Sequence, residues 1–204
     1  MRKRFLLTGL LLLTRRMSNL KSVILLARGH SEMEYRNSKN RPQADEIWCI
    51  NSLGYHHRDA ARIFYMDDMR EVPPQDHYAE YLKSCDVPVF TSRAYPEYPT
   101  AQDFPINDIV AHIGDDPLTL KLIACTVVHT LIYADYLGVE EISLWGIDCG
   151  EDPPELSLAT AYTIGRLKGK GMKINVSSGS KLNNITILSD CKQFYGYYKE
   201  KSND

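Results

Sequence analysis

Val23-Ile24-Leu25-Leu26-Ala27 is a continuous apolar run that breaks into Arg28-Gly29-His30-Ser31. It shows no polar/apolar alternation, so both of its faces want cover, as in a strand of a parallel sheet held between helices. Glu46 to Ile50 has the same character and ends at Asn51-Ser52. Arg62 to Met66 ends at Asp67-Asp68, and Val87 to Thr91 gives a fourth strand. Glu141 to Trp145 runs into Gly146-Ile147-Asp148, Met172 to Val176 makes a sixth strand and Ile185 to Leu188 a short seventh. Helical periodicity fills the intervals. Gln75 to Cys85 follows the start signal Pro73-Pro74, Pro117 to Leu137 is apolar almost all round and stops at Gly138, and Leu156 to Lys170 stops at Gly169 and Gly171. Tyr95 to Asn107, rich in Pro and Tyr, reads as one long irregular loop. Strands alternating with helices require right-handed crossovers. The predicted fold is therefore α/β: a single three-layer Rossmann-like domain with a mostly parallel, doubly wound sheet.

Composition agrees and excludes some function classes. With 204 residues, 44% hydrophobic and 25% charged, the chain can bury one substantial core. A formal net charge of -2 leaves no basic excess to neutralise a phosphate backbone, so nucleic acid is not an expected partner. The five cysteines are odd in number and contain no C-x-x-C pair, which suits a cytoplasmic protein rather than a disulfide framework or zinc cluster.

Residues 1–16 pair flanking arginines with an apolar stretch from Phe5 to Thr14, about half the ~20 residues that span a bilayer. Arg15-Arg16 stands where a signal peptide would carry a small-residue cleavage site. We read residues 1–16 as a non-native or disordered extension, Met17 as the start and 17–204 as the domain; the rival reading is a short membrane anchor. A membrane partner is not expected, and a homo-oligomer is left open.

Ligands of open α/β sheets bind outside the carboxyl ends of the strands, so the residues there are the candidates. Arg28, Gly29, His30 and Ser31 offer close backbone approach and donors to an anion, or else form an ordinary strand-to-loop turn. Asn51, with Ser52, can read a base or sugar through both a donor and an acceptor, or close an Asx-turn. Asp67 and Asp68 could hold Mg2+ with phosphate oxygens, the alternative being an N-cap, which suits Asp68 better than Asp67. Asp148, between Gly146 and Gly150, is the strongest candidate: base, metal ligand or ribose reader, against a simple loop cap. Thr119 and Thr126, in the N-terminal half of their helix, could face the cleft, while His129 reads as a core histidine and His56 and His57 as surface loop residues.

Longer stretches carry a resemblance. Val23 to Ser31 is similar to the strand and Gly-x-Gly-Pro-Ser loop of bacterial sialyltransferases, Maf-type flagellin glycosyltransferases and archaeal 6-hydroxymethylpterin pyrophosphokinases. Ala44 to Asn51 resembles their second strand, and Ile132 to Asp148 their helix-Leu-Gly-x-x-x-Ile-x-Leu-x-Gly-x-Asp segment. Tyr95-Pro96 or Tyr98-Pro99, and Tyr162-x-x-Gly165 followed by Gly171, bring it nearest to small phage and prophage members. The resemblance spans Val23 to Leu182. It implies a nucleotide or nucleotide-sugar substrate held by Gly29, Ser31, Asn51 and Thr126. Two departures stand out: Arg28-Gly29-His30-Ser31 replaces Gly-x-Gly-Pro-Ser, and no His follows Asp148, where the sialyltransferases keep their general base. These point away from sialyl transfer itself and leave nucleotide binding in place.

The expected activity is thus nucleotide-dependent transfer, either of a glycosyl group from a nucleotide sugar or of a diphosphoryl group from ATP. Asp148 and Asp67 would be its catalytic or Mg2+-binding carboxylates, and Arg28 to Ser31, Asn51, Ser52, Thr126 and Gly146 its nucleotide contacts. The alternative is a non-catalytic nucleotide-binding phage or prophage accessory protein.

Overall fold

The computed structural model describes residues 20–72, 77–114, 116, 123, 125–149, 154–180 and 182. Seven parallel strands form one sheet: β1 (Ser22–Leu26), β2 (Glu46–Ile50), β3 (Arg62–Tyr65), β4 (Val89–Thr91), β5 (Ala101–Asp103), β6 (Glu141–Trp145) and β7 (Lys173–Val176). Their order is β5-β4-β3-β2-β1-β6-β7. From β1 the chain steps outward strand by strand to β5, then crosses back to the other side of β1 to lay down β6 and β7. The direction of winding reverses between β1 and β6, and this is the switch point at which doubly wound sheets bind ligands.

Helices cover both faces, as the uninterrupted apolar strands require. Ile24, Leu26, Cys49, Ile63 and Val89 point to a layer holding α1 (Glu32–Asn37), α2 (Leu53–His56), a 3-10 turn (Met69–Glu71) and α3 (His77–Ser84). Val23, Leu25, Trp48, Ile50, Phe64 and Phe90 point the other way, to α4 (Ile106–Ile113), α5 (Thr126–Tyr136) and α6 (Pro154–Gly169). In β1 the side chains of Leu25 and Leu26 are fully buried on opposite faces, the local reason for its unbroken apolar run.

Some expectations need correcting. Of the helix expected over Pro117 to Leu137, Thr126–Tyr136 is helical and Cys125 before it is extended (φ -145°, ψ 161°), while residues 117–122 and 124 lie outside the described residues. Apolar periodicity alone does not separate a buried helix from a buried extended segment. The loop expected over Tyr95 to Asn107 contains β5 and the start of α4. The edge strand was invisible because Gln102 and Asp103 face solvent and leave no alternation to read. The α4 signal was present and overlooked: Ile106, Ile109, Val110 and Ile113 fall at i, i+3, i+4 and i+7. The strand expected at Ile185 to Leu188 lies outside the described residues.

Candidate functional site

Pairing of β1 with β6 continues past the strand ends: Ala27 N–H donates to Trp145 O (2.9 Å) and Gly29 N–H to Gly146 O (2.8 Å). The two loops therefore leave the sheet side by side. Ser31, with no exposed surface, ties them together. Its backbone N–H donates to Asp148 Oδ2 (2.9 Å) and its hydroxyl to Asp148 Oδ1 (2.5 Å). The same hydroxyl oxygen accepts from Gly146 N–H (2.7 Å). Both carboxylate oxygens of Asp148 are thus committed to the loop that faces it, and Ser31 Oγ serves as donor and acceptor at once.

The glycines are steric requirements of this join. A Cβ on Gly29 would lie 2.5 Å from Asp148 Oδ2 and 2.5 Å from Gly146 O. Gly146 has φ +71°, and a Cβ there would overlap the carbonyl of Ala27. Arg28 and His30 are exposed at the lip of the join.

Asn51 forms the neighbouring wall. Its backbone is left-handed (φ 53°), a conformation that Asn adopts more readily than other non-glycine residues. Two hydrogen bonds fix it: its N–H donates to Phe64 O (2.9 Å), and its carbonyl accepts from Tyr78 Oη (2.5 Å). The side-chain oxygen, Asn51 Oδ1, is buried and has no hydrogen-bond partner among the described residues. An unsatisfied buried acceptor costs about 1–3 kcal/mol, so one held on a constrained backbone calls for an explanation. Ser52 follows and starts α2 without a side-chain cap. Thr126 is half-buried at the first position of α5, whose N-terminus lies on the same side of the sheet, since a crossover helix runs back against its strands.

The carboxylates after β3 divide. Asp68 is structural: Oδ1 accepts from Arg70 N–H (2.9 Å) and Oδ2 from Tyr95 Oη (2.7 Å), bonds that hold its carboxyl below the usual range. Asp67 is exposed. Asp67 and Asp148 follow β3 and β6, which stand three strand spacings apart. At about 4.8 Å per spacing that is roughly 14 Å, too far for one Mg2+ to be shared between them. No group of three or more His, Cys, Asp or Glu side chains converges as a metal site among the described residues. A cation at either strand end would therefore have to draw most of its ligands from substrate and water.

Two features escaped the sequence reading. His57 is buried, not a loop-surface residue: its Nε2 lies 2.7 Å from Oε1 of buried Glu32, 25 residues away. The loop after β7 also braces the site, with Ser180 Oγ donating to Ile147 O (2.7 Å) and Ser177 Oγ to Glu34 Oε2 (2.7 Å). His129 is mostly buried, as expected; its Nδ1 is 2.9 Å from Cys125 O, and burial pulls its pKa below the ordinary value.

No protein-family model matches the sequence, and neither does any curated protein. Solved structures do match. The sialyltransferase CstII from Campylobacter jejuni, in complex with the substrate analogue CMP-3FNeuAc, superposes with a TM-score of 0.55 at 17% identity, over 80% of this chain and 83% of that one. Its complex with cytidine-5'-monophosphate gives 0.54 at 16%, over 80% and 83%. A point mutant of the α-2,3/8-sialyltransferase CstII gives 0.50 at 18%, over 80% and 84%. The chain shares the fold of CstII. The predicted α/β architecture is accordingly observed twice, in the strand order here and in the likeness to CstII. Among the described residues no helix is long and apolar enough to cross a membrane.

Proposed function

We propose that this chain is a nucleotide-dependent glycosyltransferase whose donor nucleotide sits at the switch point between β1 and β6. The observation that carries the reading is Asn51, with its amide oxygen buried and unpartnered on a left-handed backbone beside the Ser31–Asp148 join. An acceptor atom poised in this way suits an exocyclic amine or a ribose hydroxyl. Ser52 and Thr126 complete the nucleoside side. Arg28 and His30, exposed at the lip, face the phosphate, since the N–H groups of Gly29, Ser31 and Gly146 are already spent within the join. Asp148 is a positioning residue: it holds Ser31 and so shapes the cradle. Asp67, exposed at the end of β3, is the carboxylate that can meet an acceptor hydroxyl. Transfer of this kind depends mainly on positioning and charge neutralisation, so few reactive side chains are needed.

Because CstII has been solved with CMP and CMP-3FNeuAc, a cytidine nucleotide is the first donor to test. Diphosphoryl transfer from ATP ranks second, since Asp67 and Asp148, which would have to hold Mg2+, follow strands about 14 Å apart. Calorimetric titration with CMP, UMP, AMP, GMP and ATP, with and without Mg2+, tests the proposal. Binding of a nucleoside monophosphate, weakened by Asn51→Ala, is the expected result. Silence with every nucleotide would overturn it. Tight binding with no consumption of any nucleotide sugar would favour a non-catalytic nucleotide-binding accessory role instead.

A further inference from the structure

We propose that the buried Glu32–His57 pair is a positioning device that locks the two walls of the cleft together and sets nucleotide affinity without touching the nucleotide. The proposal rests on the donor-site reading above. Glu32 follows Ser31 directly and opens α1; its Cβ lies 2.9 Å from where a Cβ on Gly146 would stand. His57 follows α2, which begins two residues after Asn51. The imidazole Nε2 is 2.7 Å from Glu32 Oε1, and each side chain is only 6% exposed. Arg36 completes the unit from the same face of α1, its Nε 3.1 Å from Oε1 and its Nη2 3.1 Å from Oε2. The Tyr35 ring packs against both His57 and Trp145, at 6.0 and 5.7 Å, and closes the unit over the end of β6.

The two helices joined here cannot hold themselves in place. α1 has six residues and α2 four, short of what an isolated helix needs to persist. Neither Ser31 nor Ser52 makes a side-chain capping bond, and the Ser31 hydroxyl is already engaged by Asp148 and Gly146. Their relative position must come from tertiary contacts. Burying an ion pair is a poor way to gain stability, since apolar residues of the same volume often do as well. What a hydrogen-bonded pair adds is direction. It fixes α1 against α2, and with them the Ser31 and Asn51 walls, in one register. A Leu at position 57 would fill the space without fixing that register, whereas Gln places an N–H donor near the Nε2 position and should restore it.

Two measurements decide this: calorimetric titration with CMP, and native-state hydrogen exchange, on the full chain and on His57→Gln and His57→Leu. His57→Gln is expected to bind CMP within about twofold of the unmodified protein, and His57→Leu at least about fivefold more weakly, the low end of coupling between linked sites. Exchange at the Ser31 and Asn51 amides should quicken in His57→Leu, while that of β1 and β6 stays unchanged. CMP binding by His57→Leu equal to the unmodified protein, or unchanged exchange at both amides, would overturn the proposal. If the unmodified protein does not bind CMP, the titration is run with whichever of the other nucleotides it binds; if it binds none, the donor reading fails, and the exchange result still decides whether the pair couples the walls. Should His57→Leu not fold, Glu32→Met removes the acceptor while keeping the length of the side chain, and the same two outcomes apply to it.

Discussion

Removing one oxygen atom from the site gives its most direct test. In Ser31→Ala the hydroxyl that donates to Asp148 Oδ1 and accepts from Gly146 N–H disappears, while the backbone bond from Ser31 N–H to Oδ2 remains. The lost bond to a carboxylate is worth about 1.5–3 kcal/mol, and the orphaned Gly146 N–H about 1–3 kcal/mol. Asp148 is only half-buried, so water recovers part of the first contribution; Gly146 is buried, so the second is felt nearly in full. The expected loss is about 3 kcal/mol, a large share of the ~5–15 kcal/mol by which domains are stable. For a domain of this size it corresponds to a fall in Tm of about 6–12 °C. Urea unfolding of the unmodified protein, Ser31→Ala, Asp148→Ala and the double variant supplies the number and the coupling. A coupling of about 1–2 kcal/mol between the two side chains is expected for groups in direct contact. A destabilisation below about 1 kcal/mol, or additive single variants, would refute the claim that Ser31 and Asp148 join the loops.

Further perturbations address other parts of the fold. Gly146→Ala combines a left-handed backbone with overlap against the Ala27 carbonyl, and a loss of about 3 kcal/mol in equilibrium unfolding is expected from the two penalties together. Gly29→Ala has no left-handed backbone, but its Cβ would lie 2.5 Å from both Asp148 Oδ2 and the Gly146 carbonyl oxygen, so it should displace the carboxylate and push the two loops apart; about 1–3 kcal/mol is expected, along with weaker CMP binding. Asn51→Gly relieves the left-handed strain and the orphaned acceptor, so stability should hold or rise by up to about 1 kcal/mol while CMP affinity falls. His129 has a folded-state pKa depressed by burial, so the folded protein binds fewer protons than the unfolded chain there; its contribution is intact above about 6.5 and is lost as pH falls below that value. An NMR titration placing the His129 midpoint at or above 6.5 would contradict this.

The fold was legible because its signal is repeated. β1, β2 and β3 each centre on a short apolar run and β6 alternates Ile142 and Leu144 with Glu141 and Ser143, and two of the four, Glu46–Ile50 and Glu141–Trp145, are readable to the residue. The edge strand Ala101–Asp103 was not, since one exposed face and three residues carry no periodicity. The candidate site was legible as a place, because strand ends follow from strands: Ser31, Asn51, Gly146 and Asp148 follow the ends of β1, β2 and β6. Their partners were not legible. Nothing in the sequence ties Ser31 to Asp148 across 117 positions, or Glu32 to His57 across 25, because those pairings are set by strand order. A histidine four residues after a short helix begins reads as surface until the helix beside it is known to bury a glutamate.

This partnership alters how Asp148 should be interrogated. A carboxylate between glycines at a switch point invites the roles of base or metal ligand, and loss of activity in Asp148→Ala would ordinarily be taken as proof. Here both its oxygens accept bonds from Ser31, so that variant also unties the loop and would abolish binding whatever the chemistry. Asp148→Asn separates the possibilities. Its oxygen can accept from Ser31 N–H while its amide donates to the second lone pair of the Ser31 hydroxyl, so a purely positioning role predicts that nucleotide binding, stability and turnover are all nearly kept. A reacting carboxylate predicts the same affinity and stability with turnover lost. Measuring the dissociation constant, unfolding free energy and turnover on that one variant therefore distinguishes a group that builds the site from one that works in it.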